Sequence, residues 1–130
     1  MIFSFDYNSS YAGPPFPIVE ITIHRLDKTR EQGINLIALV DSEADITILP
    51  NQELQRINAP KVDQRRLKGA YGPSFTVDIH EVTLWIGQYR LPQVRVVADR
   101  ENSECVVGRN VLNRFIVTLN GLAGVVDVTQ

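Results

Sequence analysis

The sequence is poor in the residues that build covalent and metal-held frameworks. Of its 130 residues only one, Cys105, is a cysteine. An internal disulfide framework is therefore excluded, and a reducing compartment suits the chain. Cys105 lies in the apolar run Cys105-Val106-Val107 and reads as a buried structural thiol, since a free cysteine packs as a small hydrophobe. Histidine is scarce too. His24 and His80 fall in separate strand-like patterns and suggest no metal site. Charge of either sign is in little excess, with a formal net charge of −2. No basic patch points to a nucleic-acid partner and no acidic tail points to disorder. No apolar run approaches the ~20 residues that a membrane span needs. The first sixteen residues have neither the basic start nor the sustained apolar stretch of a signal peptide, so the expected compartment is cytoplasmic. The Asn8-Ser9-Ser10 sequon then reads as chance.

What the chain does have is enough apolar sequence for one ordinary core, at 44% hydrophobic residues, in a length that suits one domain. Gly13, Pro14, Pro15 and Pro17 make residues 1–16 read as an irregular N-terminal arm. Residues 17–130 read as the folded domain, and β signals dominate it. Ile18 to His24 alternates, with Val19, Ile21 and Ile23 on one side. Asn35–Val40 and Ile46–Leu49 are short apolar strands. Pro50 opens a short helix over Asn51 to about Ile57, because a proline in a first helical turn loses no hydrogen bond. Arg65 to Val77, with Gly69, Gly72 and Pro73 at its middle, reads as a mobile hairpin. Val77–Ile86 and Tyr89–Val97 form a second hairpin about Gly87-Gln88. Cys105–Val107 is a short strand and Arg109–Arg114 a short helix. Phe115–Leu119 and Val125–Val128 pair through a turn at Asn120-Gly121. The expected class is all-β with two short helices, as a barrel or sandwich-like core.

One segment stands out chemically. Leu39-Val40-Asp41-Ser42-Glu43-Ala44-Asp45-Ile46-Thr47-Ile48-Leu49-Pro50 sets three carboxylates in a loop between two apolar strands. Burying such acids is costly unless each is paired. Taken alone, the loop reads equally well as a solvated turn. A second segment, Val106-Val107-Gly108-Arg109-Asn110-Val111-Leu112, is an apolar strand, a glycine and a short helix opening with arginine.

Together the two segments resemble the retropepsin family of aspartic proteases. That family has two apolar residues, aspartate, serine or threonine, glycine, alanine and aspartate, and later two apolar residues, glycine, arginine and aspartate or asparagine before a helix. Both patterns occur here in that order, with a glycine-bearing hairpin between them where the family has its flap. The resemblance covers roughly Pro17 to the C-terminus and implies one barrel lobe per chain. It implies that Asp41 is the catalytic aspartate and that the Ser42 hydroxyl bonds across a two-fold axis. Ala44 matches the small residue of the loop. Asp45 and Arg109 match a carboxylate–guanidinium pair, Asp45 also lying near bound substrate. Asn110 matches the polar residue that opens the helix. Lys68, Gly69, Ala70, Tyr71 and Gly72 fall at the flap tip that covers the substrate.

The family chemistry needs two carboxylates sharing one proton, one acting as base on a water and the other as acid on the scissile carbonyl. Asp6, Asp27, Asp63, Asp78, Asp99 and Asp127 all lack the pattern that surrounds Asp41. The resemblance thus implies a homodimer with Asp41 from each copy on the axis, a peptide or protein substrate, and no metal or organic cofactor. The terminal strands Phe115–Leu119 and Val125–Val128 are the expected interface. This chain departs from the family at Glu43, where the family has glycine. A side chain there can obstruct close approach to the dyad. A carboxylate at about 5 Å from Asp41 would repel it by roughly 3 kcal/mol at an effective dielectric near 20. The expected function is a weakened aspartic endopeptidase. The alternative is a catalytically inactive dimer that grips extended peptides by strand pairing.

Overall fold

The computed structural model describes residues 1–68 and 72–130. Ten strands and two short α-helices account for most of the described residues. In order they are β1 (Phe3–Asp6), β2 (Ile18–His24), β3 (Ile34–Val40), β4 (Thr47–Pro50), α1 (Asn51–Arg56), β5 (Lys61–Leu67), β6 (Phe75–Ile86), β7 (Tyr89–Asp99), β8 (Val106–Val107), α2 (Arg109–Leu112), β9 (Ile116–Asn120) and β10 (Val125–Thr129). A single turn of 3₁₀-helix, Arg30–Gln32, joins β2 to β3. The all-β expectation with two short helices holds. No helix is long and apolar enough to cross a membrane among the described residues.

Seven strands form one sheet in the order β2-β3-β8-β4-β7-β6-β5, and a further β2–β6 pairing closes it. The long strand β6 makes the closure possible by serving different neighbours with its two halves. Its first half pairs with β5 from Phe75 to His80, and its second half pairs with β2 from Thr83 to Ile86. Closure removes most of the sheet edge and encloses Val19, Ile21, Ile23, Leu49, Leu54, Leu84 and Val96, all fully or almost fully buried. Because β2 is covered on both faces, Thr22 and His24 are buried as well. Their polar atoms find partners. Thr22 Oγ1 donates to Asn35 Oδ1 at 2.7 Å. His24 Nε2 accepts from Trp85 Nε1 at 3.0 Å while Nδ1 faces the Arg25 carbonyl at 2.6 Å. Indole N–H is only a donor, so the neutral ring with its proton on Nδ1 satisfies both contacts.

The remaining strands form a second sheet in the order β1-β10-β9. Here the expected irregular arm is corrected. Phe3–Asp6 is a strand, paired antiparallel with β10 from Phe3↔Val128 to Asp6↔Val125. The Phe3 ring stands edge-on to Tyr89 at 5.5 Å. It also occupies the space above Gly87, where an added Cβ would fall 2.3 Å from the ring. Gly87 thus serves two ends at once, giving the β6–β7 turn its positive φ of 57° and seating Phe3.

Several boundaries shift for identifiable reasons. Pro50 is the cap residue of α1 rather than its first turn; at ψ 132° it is still extended and ends β4. The helix stops at Arg56, two residues before Asn58 turns left-handed at φ 52°. β5 begins at Lys61, earlier than expected, and all seven of its residues are exposed. The β9–β10 turn is a four-residue loop, Gly121–Gly124, because Asn120 itself pairs with Val125 and its Oδ1 accepts from Ala123 N at 3.0 Å.

Candidate functional site

The barrel places the acidic loop at the end of β3, where that strand lies parallel to β8. Leu39 N donates to Cys105 O at 2.9 Å and Asp41 N to Val107 O at 3.1 Å. The backbone entering the loop is therefore fixed up to Asp41 by the strand that carries Gly108-Arg109-Asn110. Asp41 is half-buried, and its Oδ1 accepts the backbone N–H of Glu43 at 2.9 Å. That bond holds the carboxylate against its own turn and, among the described residues, leaves the other oxygen without a hydrogen-bond partner. Ser42, Glu43 and Asp45 are exposed, and Ala44 is half-buried.

Arg109 holds this loop through its backbone. Its Nη1 donates to the carbonyls of Ser42 and Glu43, each at 2.8 Å, and its own N–H donates to Ala44 O at 2.8 Å. This corrects one expectation. Among the described residues no ion pair joins Asp45 to Arg109; the guanidinium spends its donors on loop carbonyls, and the exposed Asp45 carboxylate is left to solvent. The pattern still brings the two sequence segments together, but by neutral acceptors.

Two further parts complete the clasp. Gly108 lies where the two segments touch, and a Cβ there would meet Ala44 O, Ile46 C and Ile46 O, each at 2.8 Å. The close approach of backbones, rather than an unusual φ, requires glycine. Beside it is a chain of hydrogen bonds among Gly108, Thr47, Asn110 and Arg95. Gly108 N donates to Thr47 Oγ1 at 3.1 Å, and Thr47 Oγ1 donates to Asn110 Oδ1 at 2.9 Å. Thr47 N also donates to Asn110 Oδ1 at 2.9 Å, and Asn110 Nδ2 donates to Arg95 O at 2.8 Å. Thr47 is fully buried, so these bonds satisfy groups that water does not reach. Asn110 was expected as a helix opener; its side chain ties α2 to β4 and β7.

Past the loop, β4 separates two apolar regions. Leu49 faces the main core, while Ile46 and Ile48 pack on a smaller cluster of Val77, Ile79 and Val97. Beside Ile48 lies a cleft of about 530 Å³, floored by Val77 and Val97 and walled by Leu67 and Phe75 from the β5–β6 hairpin. Its rim is the loop from Asp99 to Glu104. Burial alone would raise the Asp99 carboxyl, but the backbone N–H groups of Glu104, Glu101 and Ser103 outweigh it and hold Asp99 below the usual carboxylate range. Of the expected flap residues, Lys68 and Gly72 are exposed, and Gly69, Ala70 and Tyr71 lie outside the described residues. The larger cavity, about 610 Å³, lies between β1 and the β2–β3 pair and contains none of the site-loop residues. Among the described residues no three His, Cys, Asp or Glu side chains cluster as metal ligands.

No protein-family model matches the sequence, and no curated protein does. Solved structures do match the fold. The protease of simian foamy virus (mac), in its solution structure, is 19% identical over 74% of this chain and 91% of that one, with a TM-score of 0.55. A retropepsin-like aspartic protease from Rickettsia conorii is 9% identical over 98% of this chain and 91% of that one, with a TM-score of 0.62. EIAV protease, complexed with the inhibitor HBY-793, is 18% identical over 85% and 93%, with a TM-score of 0.51. The chain has the retropepsin-like fold, in its single-lobe form.

Proposed function

We propose that the chain is one half of an aspartic endopeptidase, with Asp41 and the Asp41 of a second copy forming the dyad. The supporting observation is the seating of Asp41. It stands at a strand end, half-buried, with one carboxylate oxygen held by Glu43 N–H and its loop clasped from behind by Arg109. A general base needs a fixed carboxylate with a free oxygen for water, and a lone copy supplies only one of the two groups. The substrate is an extended peptide lying between the loop and the β5–β6 hairpin, with side chains entering the cleft beside Ile48. No cofactor takes part. Residues 17–130 form the protease domain, and β1 adds the N-terminal segment to its sheet.

Glu43 lowers this activity. Its N–H serves Asp41, and its exposed side chain stands two residues away on the same turn. A second carboxylate per copy near the dyad opposes the shared-proton arrangement. The second reading, a dimer that binds extended peptides without cutting them, draws on the same residue. Both readings are tested by a peptide-library digest at mildly acidic pH with a pepstatin-type inhibitor as control. Glu43→Gly should raise inhibitor-sensitive cleavage, and Asp41→Asn should abolish it. Bound but uncut peptide in both the wild type and Glu43→Gly, with the dimer intact, would favour the binding reading and sink the protease one.

A further inference from the structure

The cleft beside Ile48 is apolar at its base and acidic at its lip. Val77 and Val97 floor it, Leu67 and Phe75 form one wall, and Glu101 and Glu104 stand on the loop at the other side. Val77 and Val97 are buried, while Phe75 on the hairpin is 53% exposed. Apolar surface therefore lines the way in as well as the bottom. Among the described residues the Glu101 and Glu104 carboxylates enter no ion pair. Arg100, also on the rim, is turned to Asp78, with Nη2 3.7 Å from Oδ2. Its charge has a partner there, and those of the two glutamates do not.

The loop that carries the two glutamates is fixed from within. Asp99 Oδ1 accepts from Glu101 N at 3.0 Å, and Oδ2 accepts from Ser103 N and Glu104 N, each at 2.8 Å. Asn102 turns left-handed at φ 58°, and its Oδ1 accepts from Gln52 N at 2.8 Å, which ties the loop to the start of α1. Both glutamates are thus held at the lip by their backbones, with their side chains exposed. A ligand that meets them has little loop left to order, and a preorganised site loses less on binding.

An apolar trough that ends at two carboxylates matches one kind of side chain, a long aliphatic stem with a cationic head. Lysine and arginine lay their methylenes on apolar surface and keep the charge at its margin. A purely apolar side chain would cover the floor and leave the acids unanswered, and an acidic one would be repelled by them. We propose that the cleft selects an arginine or lysine of the substrate, its stem on Ile48 and Val97 and its head at Glu101 and Glu104. This selectivity rests on the peptide-binding reading of the site and narrows its ligand from an extended peptide to a basic one. Exposed ion pairs are weak, so two of them should give a preference of about 3- to 10-fold over an uncharged side chain of the same shape. Salt should erode it.

The test uses citrulline, which has the shape of arginine without its charge. Short labelled peptides carrying arginine, citrulline or glutamate at one position at a time are bound to the wild-type chain and followed by fluorescence anisotropy. The same peptides are assayed for cleavage. At one position or more, arginine should bind about 3- to 10-fold tighter than citrulline at low ionic strength, and glutamate weaker than either. The gap should close in about 1 M salt, where the screening length falls to about 3 Å. It should also close in the Glu101→Gln, Glu104→Gln double variant. That variant keeps every backbone N–H that Asp99 accepts and should fold normally by circular dichroism. Glu31→Gln, on the 3₁₀ turn and outside the cleft lining, changes the net charge alone and should leave the preference as it is. The selectivity is overturned if no position prefers arginine to citrulline, if the preference survives both glutamine substitutions, or if no peptide binds. Failure of the protease reading looks different. An arginine preference in binding, with no inhibitor-sensitive cleavage even in Glu43→Gly, overturns the dyad and leaves the basic selectivity standing. Cleavage without an arginine preference at any position overturns the selectivity alone.

Discussion

Asn110→Ala removes the acceptor on which the buried end of β4 depends. Asn110 Oδ1 takes two donors, Thr47 N and Thr47 Oγ1, and Nδ2 gives one bond to Arg95 O. Thr47 is fully buried. Its hydroxyl can rotate to another acceptor, but its amide cannot. One stranded buried N–H costs about 1–3 kcal/mol, and a lost ordinary hydrogen bond about 0.5–1.5 kcal/mol. The expected loss is about 2–4 kcal/mol. Asn110→Asp keeps the acceptor for both Thr47 donors but sets a carboxylate oxygen against Arg95 O where Nδ2 donated, so it exchanges that bond for a repulsion between two acceptors. Thr47→Val in the Asn110→Ala background should cost less than in the wild type, with a coupling of about 1 kcal/mol or more. The assay is urea unfolding at fixed protomer concentration, since association adds to apparent stability. With a slope of ~1–3 kcal/mol per molar urea, the Asn110→Ala midpoint should fall by about 1–2 M. An Asn110→Ala midpoint within error of the wild type, or an absence of coupling with Thr47→Val, would refute the reasoning.

Three further outcomes follow from the same structure. Gly108→Ala, whose Cβ would stand 2.8 Å from backbone atoms of Ala44 and Ile46, should cost about 1–3 kcal/mol in urea unfolding and loosen the Asp41 loop. Burial, and secondarily the nearby Glu53 charge, pushes the Cys105 thiol up to about 11 from an unfolded value near 9. Between those two pH values the unfolded chain holds fewer protons, so stability is complete below about pH 9 and falls by about 2–3 kcal/mol as pH rises towards 11. Cys105→Ala should remove that slope, and the wild-type thiol should react slowly with iodoacetamide at pH 8. Hydrogen bonds from Gln64 and Lys61 hold Asp78 below the usual carboxylate range, as backbone N–H groups do for Asp99 against its burial. Their stabilisation is present above about pH 4 and is lost as pH falls through the folded values, so Asp99→Asn should flatten the acid limb of thermal stability against pH.

The two segments that meet at the candidate site were the most legible part of the sequence. An aspartate closing an apolar strand, and a glycine-arginine pair closing another, are local patterns, and the barrel does bring them into contact. The strands with a buried face, β2 and β4 among them, announced themselves by apolar residues. β5 did not, because every residue from Lys61 to Leu67 is exposed and there is no alternation to read. β1 was hidden for a different reason. Its partner, β10, lies at the other end of the chain, and the Gly13 to Pro17 cluster that follows it signals a loop. The Asp45–Arg109 pair was carried over from a resemblance, and the structure shows how it fails: the carbonyls of Ser42 and Glu43 reach the guanidinium first. Thr47 was passed over because a threonine at a strand start looks like any other. Only the position of Asn110, 63 residues along the chain, gives it meaning.

The pairing of β1 with β10 also sets the order in which the chain can be finished. Ser4 Oγ donates to Asp127 Oδ1 across 123 residues of sequence, and Thr129 Oγ1 donates to Met1 O across 128. During synthesis β1 emerges without its mate and stays without it until β10 has left the ribosome. The closed barrel, β2 to β8, can form earlier, from contacts nearer in sequence. The three-stranded sheet is therefore the last element to assemble, and contacts of such long separation are slow to form. Until then Phe3 and Phe5 lack the β10 partners, Val128 and Val126, that they face in the finished sheet.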